Sequence, residues 1–170
     1  LETYISPETK NILNPLVDYD GTFTPARLGT LGVAYNTRFV KEAPATWQDL
    51  MKPAFKGAYG IANPALSGTS YMSVAMLVKA FGWEYIEKLR ANGAKMGKGS
   101  GQVVDDTATG DLVASFAVDY ITNDKIEKGA TIALAYPPEM LVIPSPVAIF
   151  KGTPNLDAAK KFVDFLLSRE

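Results

Sequence analysis

The sequence predicts an α/β domain in which helices pack on both faces of a mainly parallel sheet. Short apolar segments bounded by turn residues alternate along the chain with segments whose apolar residues recur every three or four positions. Two of the predicted helices begin with a serine shortly after a strand. A chain of 170 residues supports a real core, because a domain of this size buries roughly 70% of the surface that its unfolded form exposes.

The first half of the chain alternates strands with helices. Residues 27–36 are typical of a buried strand, and Thr46 and Asp49 have the spacing of a capping box at the start of a short helix. Residues 57–64 predict a second strand, which leads into a loop and then to Ser67 as the N-cap of the next helix. The apolar face expected for that helix consists of Tyr71, Val74, Ala75, Val78 and Phe81. Gly82 ends it, and a further helix is expected over residues 83–92.

The second half repeats this order. The segment "AKMGKGSGQVVDDTATG" predicts a short strand, Ser100 as an N-cap, and a helix over residues 101–109. Residues 111–122 predict a strand that runs into a turn or helix, residues 130–137 another strand, and residues 141–150 an extended segment compatible with a sheet edge. The last predicted helix is capped by Thr153, with Pro154 at its first position and an apolar stripe of Ala159, Phe162, Val163 and Leu166.

The helix start at Ser67 has chemistry suited to an anion. Its first turn offers free backbone N–H groups, the positive end of the helix dipole, Gly68 without a side chain, and the hydroxyls of Ser67, Thr69 and Ser70. An ordinary N-cap would have the same residues, so this alternative stays open.

The composition excludes several functional classes. The chain has no cysteine and no histidine, which removes thiolate nucleophiles, zinc sites with Cys or His ligands, and Ser-His catalysis. A net charge of −1 leaves no basic face, so nucleic acid is not expected as a partner. Phosphate-binding motifs of nucleotide-binding proteins are missing, and Pro144 and Pro146 interrupt the most apolar stretch. These observations favour a binding protein over an enzyme.

Four segments resemble ABC-transporter solute-binding proteins of the ferric-iron and phosphonate type, which have the type II periplasmic-binding fold. They are "LGVAYNTRFV", "PATWQDLMKPAFKGAYGIANPALSGTSY", "NGAKMGKGSGQVVDDTATGD" and "NLDAAKKFVDFLLS". The similarity covers nearly the whole chain, and residues 47–71 are its most specific part. Proteins of this family catch a solute in a cleft between two α/β lobes and deliver it to a membrane permease. A periplasmic or extracellular location follows from the resemblance.

The resemblance implies a fragment centred on the second lobe, a three-layer helix–sheet–helix unit. Residues 1–33 would be a first-lobe remnant with the first crossing segment, and residues 34–140 the second lobe. Residues 141–170 would be the return crossing segment with the C-terminal helix of the first lobe. We expect the apolar residues of that helix, including Phe162 and Phe165, to be exposed and to favour a dimer. With one wall of the cleft, we also expect weak solute binding.

The resemblance also implies a set of ligand-contacting residues. These are Ser67, Gly68, Thr69, Ser70, Ser100, Gly101, Asp119 and Tyr120. Ferric-binding members hold iron with two neighbouring tyrosines and a synergistic anion, whereas this chain has Asp119 followed by Tyr120. Tyr120 would be the metal ligand if the solute is ferric iron, and the departure from the pattern favours a phosphonate or a phosphate-like solute. No resident cofactor is expected. The alternative function is the effector domain of a LysR-type transcription regulator, which shares the fold.

Overall fold

The structure, a computed structural model, describes residues 1–12, 20–139 and 141–169. The chain forms two compact units. The terminal unit consists of Leu1–Gly29 and Pro144–Glu170, and the central unit of Thr30–Ile143. The boundary that the resemblance implies at residue 140 falls on a residue outside those described.

The strands form one mixed sheet. They are β1 (Thr24–Asn36), β2 (Tyr59–Ala62), β3 (Lys95–Gly97), β4 (Ala114–Val118), β5 (Ile132–Ala135) and β6 (Leu141–Val147). Their order is β3-β2-β4-β1-β5, and β6 pairs with β1. β2 is parallel to β3 and β4, but β1 is antiparallel to β4 and β5. The prediction of a mainly parallel sheet is therefore wrong at β1. Because β2, β3, β4 and β5 all run in one direction, their carboxyl ends meet at one edge of the sheet, the C-terminal edge.

The helices alternate with these strands and confirm the predicted α/β class. They are α1 (Gly68–Phe81), α2 (Trp83–Ala91), α3 (Ser100–Thr109), α4 (Asp119–Glu127) and α5 (Leu156–Leu167). Three short 3₁₀ helices cover Pro7–Asn11, Trp47–Met51 and Pro53–Phe55. The capping box predicted at Thr46 is present, since the Thr46 N–H donates to Asp49 Oδ2 over 3.1 Å.

The core of the central unit has two parts, one on each face of the sheet. Leu31 and Val33 of β1 belong to the larger apolar cluster, and Ala34 belongs to the smaller one, because successive strand residues point to opposite faces. In the larger cluster the rings of Trp47 and Phe116 meet edge to face, with centroids 5.3 Å apart. Helices cover both faces, so this unit has three layers.

The buried face of α1 differs from the predicted one. Ser70, Ser73 and Leu77 are buried, whereas Tyr71 is 62% exposed and Ala75 is also exposed. The two serines can lie against the sheet because their hydroxyls donate to backbone carbonyls, Ser70 to Ala62 and Ser73 to Thr69. Two small hydroxyl side chains and Leu77 therefore form the buried face of α1, in place of the expected apolar stripe.

In the terminal unit, α5 begins later than predicted and buries a shifted stripe. The helix starts at Leu156 after Asn155, and Thr153 accepts a hydrogen bond from the Asn155 N–H without capping the helix itself. Val163 and Leu167 are its buried residues. Three apolar residues are exposed: Phe162 at 59%, Phe165 at 64% and Leu166 at 40%. This leaves α5 with the exposed apolar face that the resemblance implied.

Candidate functional site

The first turn of α1 lies at the C-terminal edge, beyond β2. Ser67 is the N-cap, as predicted, and its Oγ accepts a hydrogen bond from the Ser70 N–H over 3.2 Å. The N–H groups of Gly68 and Thr69 have no helical partner, because they precede the first i to i−4 bond. A Cβ on Gly68 would meet no atom within 4 Å. The helix end is therefore open to a ligand.

The first turn of α3 follows β3 at the same edge, but Ser100 does not cap it. Gly99 is the N-cap, in an extended conformation, and Ser100 is the first helical residue. The Lys98 N–H is satisfied instead by Gln102 Oε1, at 2.9 Å. The Ser100 hydroxyl is thus free to reach α1, where its Oγ lies 3.2 Å from Ser67 Oγ. A Cβ on Gly101 would also meet nothing within 4 Å.

A small cavity lies beneath these two first turns. Its volume is about 10 Å³, close to the least that holds one water. It is lined by Leu31, Ile61, Ala62, Thr69, Ser70, Ser73, Ser100, Phe116 and Val118. Two of the expected contact residues, Thr69 and Ser100, line it with hydroxyls that form no hydrogen bond to the backbone of the described residues. The Ser70 hydroxyl, also expected to contact the ligand, donates to the Ala62 carbonyl.

Asp119 and Tyr120 start α4, directly after β4. Asp119 Oδ1 accepts a hydrogen bond from the Tyr120 N–H at 2.7 Å. Across the described ranges, no lysine or arginine forms an ion pair with Asp119. Both side chains are half-buried. Asp119 therefore brings an unpaired carboxylate to the same edge as the two first turns.

Tyr136 belongs to this edge as well and was missed by sequence reasoning. It follows β5 immediately and is 45% exposed. A Cβ on Gly32 would lie only 3.2 Å from Tyr136 Cδ1, so the tyrosine ring lies across the glycine of β1. Burial, and then the Asp119 carboxylate, raise the pKa of Tyr136. The signal that could have found it was its position near the carboxyl end of the strand predicted over residues 130–137.

Metal-binding clusters are absent from the part of the chain that the structure describes. No group of three or more Asp, Glu, His or Cys side chains is placed to hold a metal ion there. Within the same residues, no helix has the length and apolar character to cross a membrane.

The chain belongs to the family described as bacterial extracellular solute-binding protein, which it matches over residues 2–170. It is 27% identical over 175 residues to a Salmonella typhimurium protein with the provisional name 2-aminoethylphosphonate-binding periplasmic protein, covering 96% of this chain and 49% of the relative. The structure of the periplasmic binding protein AfuA from Actinobacillus pleuropneumoniae, with fructose 6-phosphate bound, has a TM-score of 0.91. AfuA is 30% identical, covering 100% of this chain and 58% of AfuA.

Iron-bound HitA from Pseudomonas aeruginosa shares the fold, with a TM-score of 0.79, 21% identity, and coverage of 99% of this chain and 58% of HitA. These matches confirm the resemblance to type II solute-binding proteins, and the family is one of binding proteins rather than enzymes. They give no support to the LysR alternative. The chain spans about half the length of the curated relatives it matches.

Proposed function

We propose that this chain binds the phosphonate or phosphate group of a small solute at the first turns of α1 and α3. The observation that carries the proposal is the 3.2 Å contact between Ser67 Oγ and Ser100 Oγ, which brings two helix N-termini together. Each N-terminus has a partial positive charge and unpaired N–H groups, and two of them can share one tetrahedral anion. The similarity to proteins named for 2-aminoethylphosphonate and solved with fructose 6-phosphate supports this class of solute.

The proposed contacts divide between side chains and backbone. The hydroxyls of Ser67, Thr69 and Ser100 donate to the anion, together with the N–H groups of Gly68 and Gly101. Hydrogen bonds to a charged group contribute about 1.5 to 3 kcal/mol each, so two or three of them from one wall of the cleft account for weak, roughly millimolar binding. We assign no anion contact to the Ser70 hydroxyl, because it donates to Ala62.

Ferric iron is the second candidate, and Tyr120 is the residue that favours it. A phenolate and a carboxylate are hard oxygen ligands of the kind that Fe³⁺ takes. Asp119 stands where the iron-binding pattern has the other tyrosine, and no acidic cluster completes a coordination shell among the described side chains. The phosphonate or phosphate solute is therefore the better supported of the two.

The proposed role is that of the solute-binding component of an ABC importer in the periplasm. In this role residues 34–140 form the second lobe, and the solute passes to a membrane permease. The family and the periplasmic relatives support the location and the partner.

Titration calorimetry on the purified chain tests the function. We expect binding of 2-aminoethylphosphonate or fructose 6-phosphate and none of ferric citrate. Ser100→Ala should weaken the phosphonate or phosphate interaction about tenfold. Ser168→Ala, which removes a hydroxyl that donates to Phe165 in the terminal unit, is the matched control. Equal affinity of wild type and Ser100→Ala would contradict the proposed contact, and binding of ferric citrate alone would contradict the solute class.

A further inference from the structure

The carboxyl-terminal end of α3 is bonded to the turn that follows β1. The Asn36 side-chain amide donates to the Thr107 carbonyl over 2.8 Å, and the Arg38 guanidinium donates to the Thr109 carbonyl over 3.1 Å. Both carbonyls lie in the last turn of the helix, where no helical N–H is available to them. Asn36 is completely buried, and its Oδ1 accepts from the Arg38 N–H over 3.0 Å. Both ends of the amide are therefore bonded, and a residue 71 positions earlier in the sequence holds this helix end.

The Thr107 side chain attaches the same helix to the sheet. Its Oγ1 lies 2.7 Å from the Val103 carbonyl oxygen and 2.8 Å from Ser115 Oγ of β4, and Thr107 and Ser115 are both completely buried. The other buried residues of α3 are Val103 and Val104, and apolar contacts have no preferred direction. Hydrogen bonds require a particular distance and angle. The position of α3 along its own axis is therefore set by the bonds of Asn36 and Thr107.

The opposite end of α3 contains Ser100, whose Oγ lies 3.2 Å from Ser67 Oγ. Thr107 is seven positions after Ser100 in the same helix, which is about 10 Å along the axis. On the other side of the contact, the Ser70 hydroxyl holds the first turn of α1 by donating to the Ala62 carbonyl of β2. If α3 slid by about 1 Å, the two hydroxyls would no longer lie within hydrogen-bonding distance.

We propose that Asn36 and Thr107 are positioning residues of the anion site, which fix α3 on the sheet and thereby keep the Ser100 hydroxyl beside the first turn of α1. This inference rests on the proposed function. Neither residue touches the solute, because both are buried and bonded near the far end of the helix. A displacement of about 1 Å is enough to lose much of the effect of a binding group. The two residues therefore act on the solute through Ser100.

Thr107→Val tests the proposal, because valine has the shape of threonine and lacks the hydroxyl. By titration calorimetry of the purified chain with 2-aminoethylphosphonate, and with fructose 6-phosphate as a second probe, we expect about fivefold weaker binding. Thr107→Ser keeps the hydroxyl and should bind within about twofold of wild type. Asn36→Ala removes the other set of bonds and should weaken binding at least as much as Thr107→Val.

Asn92→Ala is the matched control. The Asn92 amide also donates to a backbone carbonyl, that of Leu50, over 2.9 Å, but it does so at the end of α2. Its loss should lower stability and change the affinity for either probe by less than about twofold. An equal loss of affinity in Asn92→Ala and Thr107→Val would show that the effect is one of general stability, and would overturn the positioning role.

A double-mutant cycle tests whether Thr107 acts through Ser100. Ser100→Ala alone should weaken binding about tenfold. The double variant Thr107→Val with Ser100→Ala should bind about tenfold to twentyfold more weakly than wild type, because the displaced hydroxyl is already gone. Independent effects would multiply to about fiftyfold, and that result would contradict the proposal.

The position of Ser100 can also be followed without a solute. In ¹H–¹⁵N NMR spectra of the free chain, Thr107→Val should shift the amide signals of Ser100 and Gly101, and Asn92→Ala should leave both in place. The dispersion of the same spectra shows whether each variant is folded. If Asn36→Ala does not fold, the Thr107 variants decide the matter. Unshifted Ser100 and Gly101 signals in Thr107→Val would overturn the inference.

The outcomes keep this inference separate from the proposed function. If wild type binds either probe and Thr107→Val binds it equally well, the positioning role is wrong and the proposed function stands. If wild type binds neither probe, the proposed function is contradicted and the inference falls with it.

Discussion

The hydroxyl oxygens of Ser67 and Ser100 lie 3.2 Å apart, although the two residues start different helices after different strands. The contact follows from the sheet, because β2 and β3 are parallel neighbours with Ala62 opposite Gly97. Two adjacent helix N-termini repel each other, since both have a partial positive charge. An anion between them removes that repulsion, which makes the pair a better anion site than either helix alone.

Replacing Thr69 with alanine should weaken phosphonate or phosphate binding roughly tenfold or more. Thr69 is in the first turn of α1 and lines the cavity beneath it, and a hydrogen bond to a charged group contributes about 1.5 to 3 kcal/mol. Calorimetric titration of 2-aminoethylphosphonate measures the change. Thr131→Ala, an exposed threonine next to the amino end of β5, is the control. An unchanged affinity in Thr69→Ala would show that the hydroxyl does not contact the solute.

Ferric salt added with phosphate should produce no visible phenolate-to-iron absorption band. Asp119 occupies the place of one of the two tyrosines in the iron-binding pattern, and the described residues contain no cluster of metal-ligating side chains. Absorption spectroscopy of the wild type and Tyr120→Phe tests this. A band that is present in wild type and lost in Tyr120→Phe, but kept in Tyr71→Phe, would establish iron binding against our expectation.

The carboxylate of Asp49 should make stability depend on pH in the acid range. Lys52 Nζ lies 2.8 Å from Asp49 Oδ1, and the Ala45 and Thr46 N–H groups donate to Oδ2. These contacts, led by Lys52, lower the pKa of Asp49 from 3.8 to about 2. The folded-state pKa lies below the unfolded one, so the stabilisation is present above about pH 4 and is lost as the pH falls towards 2.

Chemical denaturation at several pH values measures this effect. The difference in unfolding free energy between wild type and Asp49→Asn should shrink by about 1 to 2 kcal/mol between about pH 6 and pH 2. Asp124→Asn, whose partner Lys128 is exposed, should show almost no such change. Parallel pH profiles for wild type and Asp49→Asn would mean that Asp49 does not have a lowered pKa in the folded state.

The exposed face of α5 should cause self-association without contributing to stability. Phe162 and Phe165 are 59% and 64% exposed, and an exposed patch of this kind favours contact with a second copy. We expect the double variant Phe162→Ser with Phe165→Ser to sediment as a monomer at concentrations where wild type associates. Its unfolding free energy should change by less than about 1 kcal/mol.

Leu167→Ala is the contrasting variant, because Leu167 is only 6% exposed. Truncating this buried leucine to alanine leaves a cavity and should lower the unfolding free energy by about 2 to 5 kcal/mol. A monomeric wild type at all concentrations would contradict the association.

Local signals in the sequence predicted the order of the elements. Ser67 starts a helix and Gly82 ends it, as predicted, because capping depends on neighbouring residues and backbone conformation. The direction of β1 could not be predicted in this way, since it depends on partners far along the chain. The buried face of α1 was misplaced because Ser70 and Ser73 satisfy their hydroxyls on backbone carbonyls, which composition does not reveal.

The candidate site was predictable only in part, because local signals identify single helix starts but not which of them come together. Ser67 and Ser100 could be found separately as helix starts, but their contact depends on the pairing of β2 with β3. Tyr136 had no motif around it. Its relevance comes from Gly32 and Asp119, which the fold brings together from distant parts of the sequence.

The placement of β1 also determines when the chain can fold during synthesis. β1 leaves the ribosome before the other strands, yet its neighbours in the sheet are β4 and β5, with Leu31 opposite Val118 and Val33 opposite Ala135. The central sheet therefore cannot close until most of the chain has been made, and pairing over such a sequence separation is slow. A nascent chain kept open in this way exposes apolar strand residues for longer and remains accessible to chaperones.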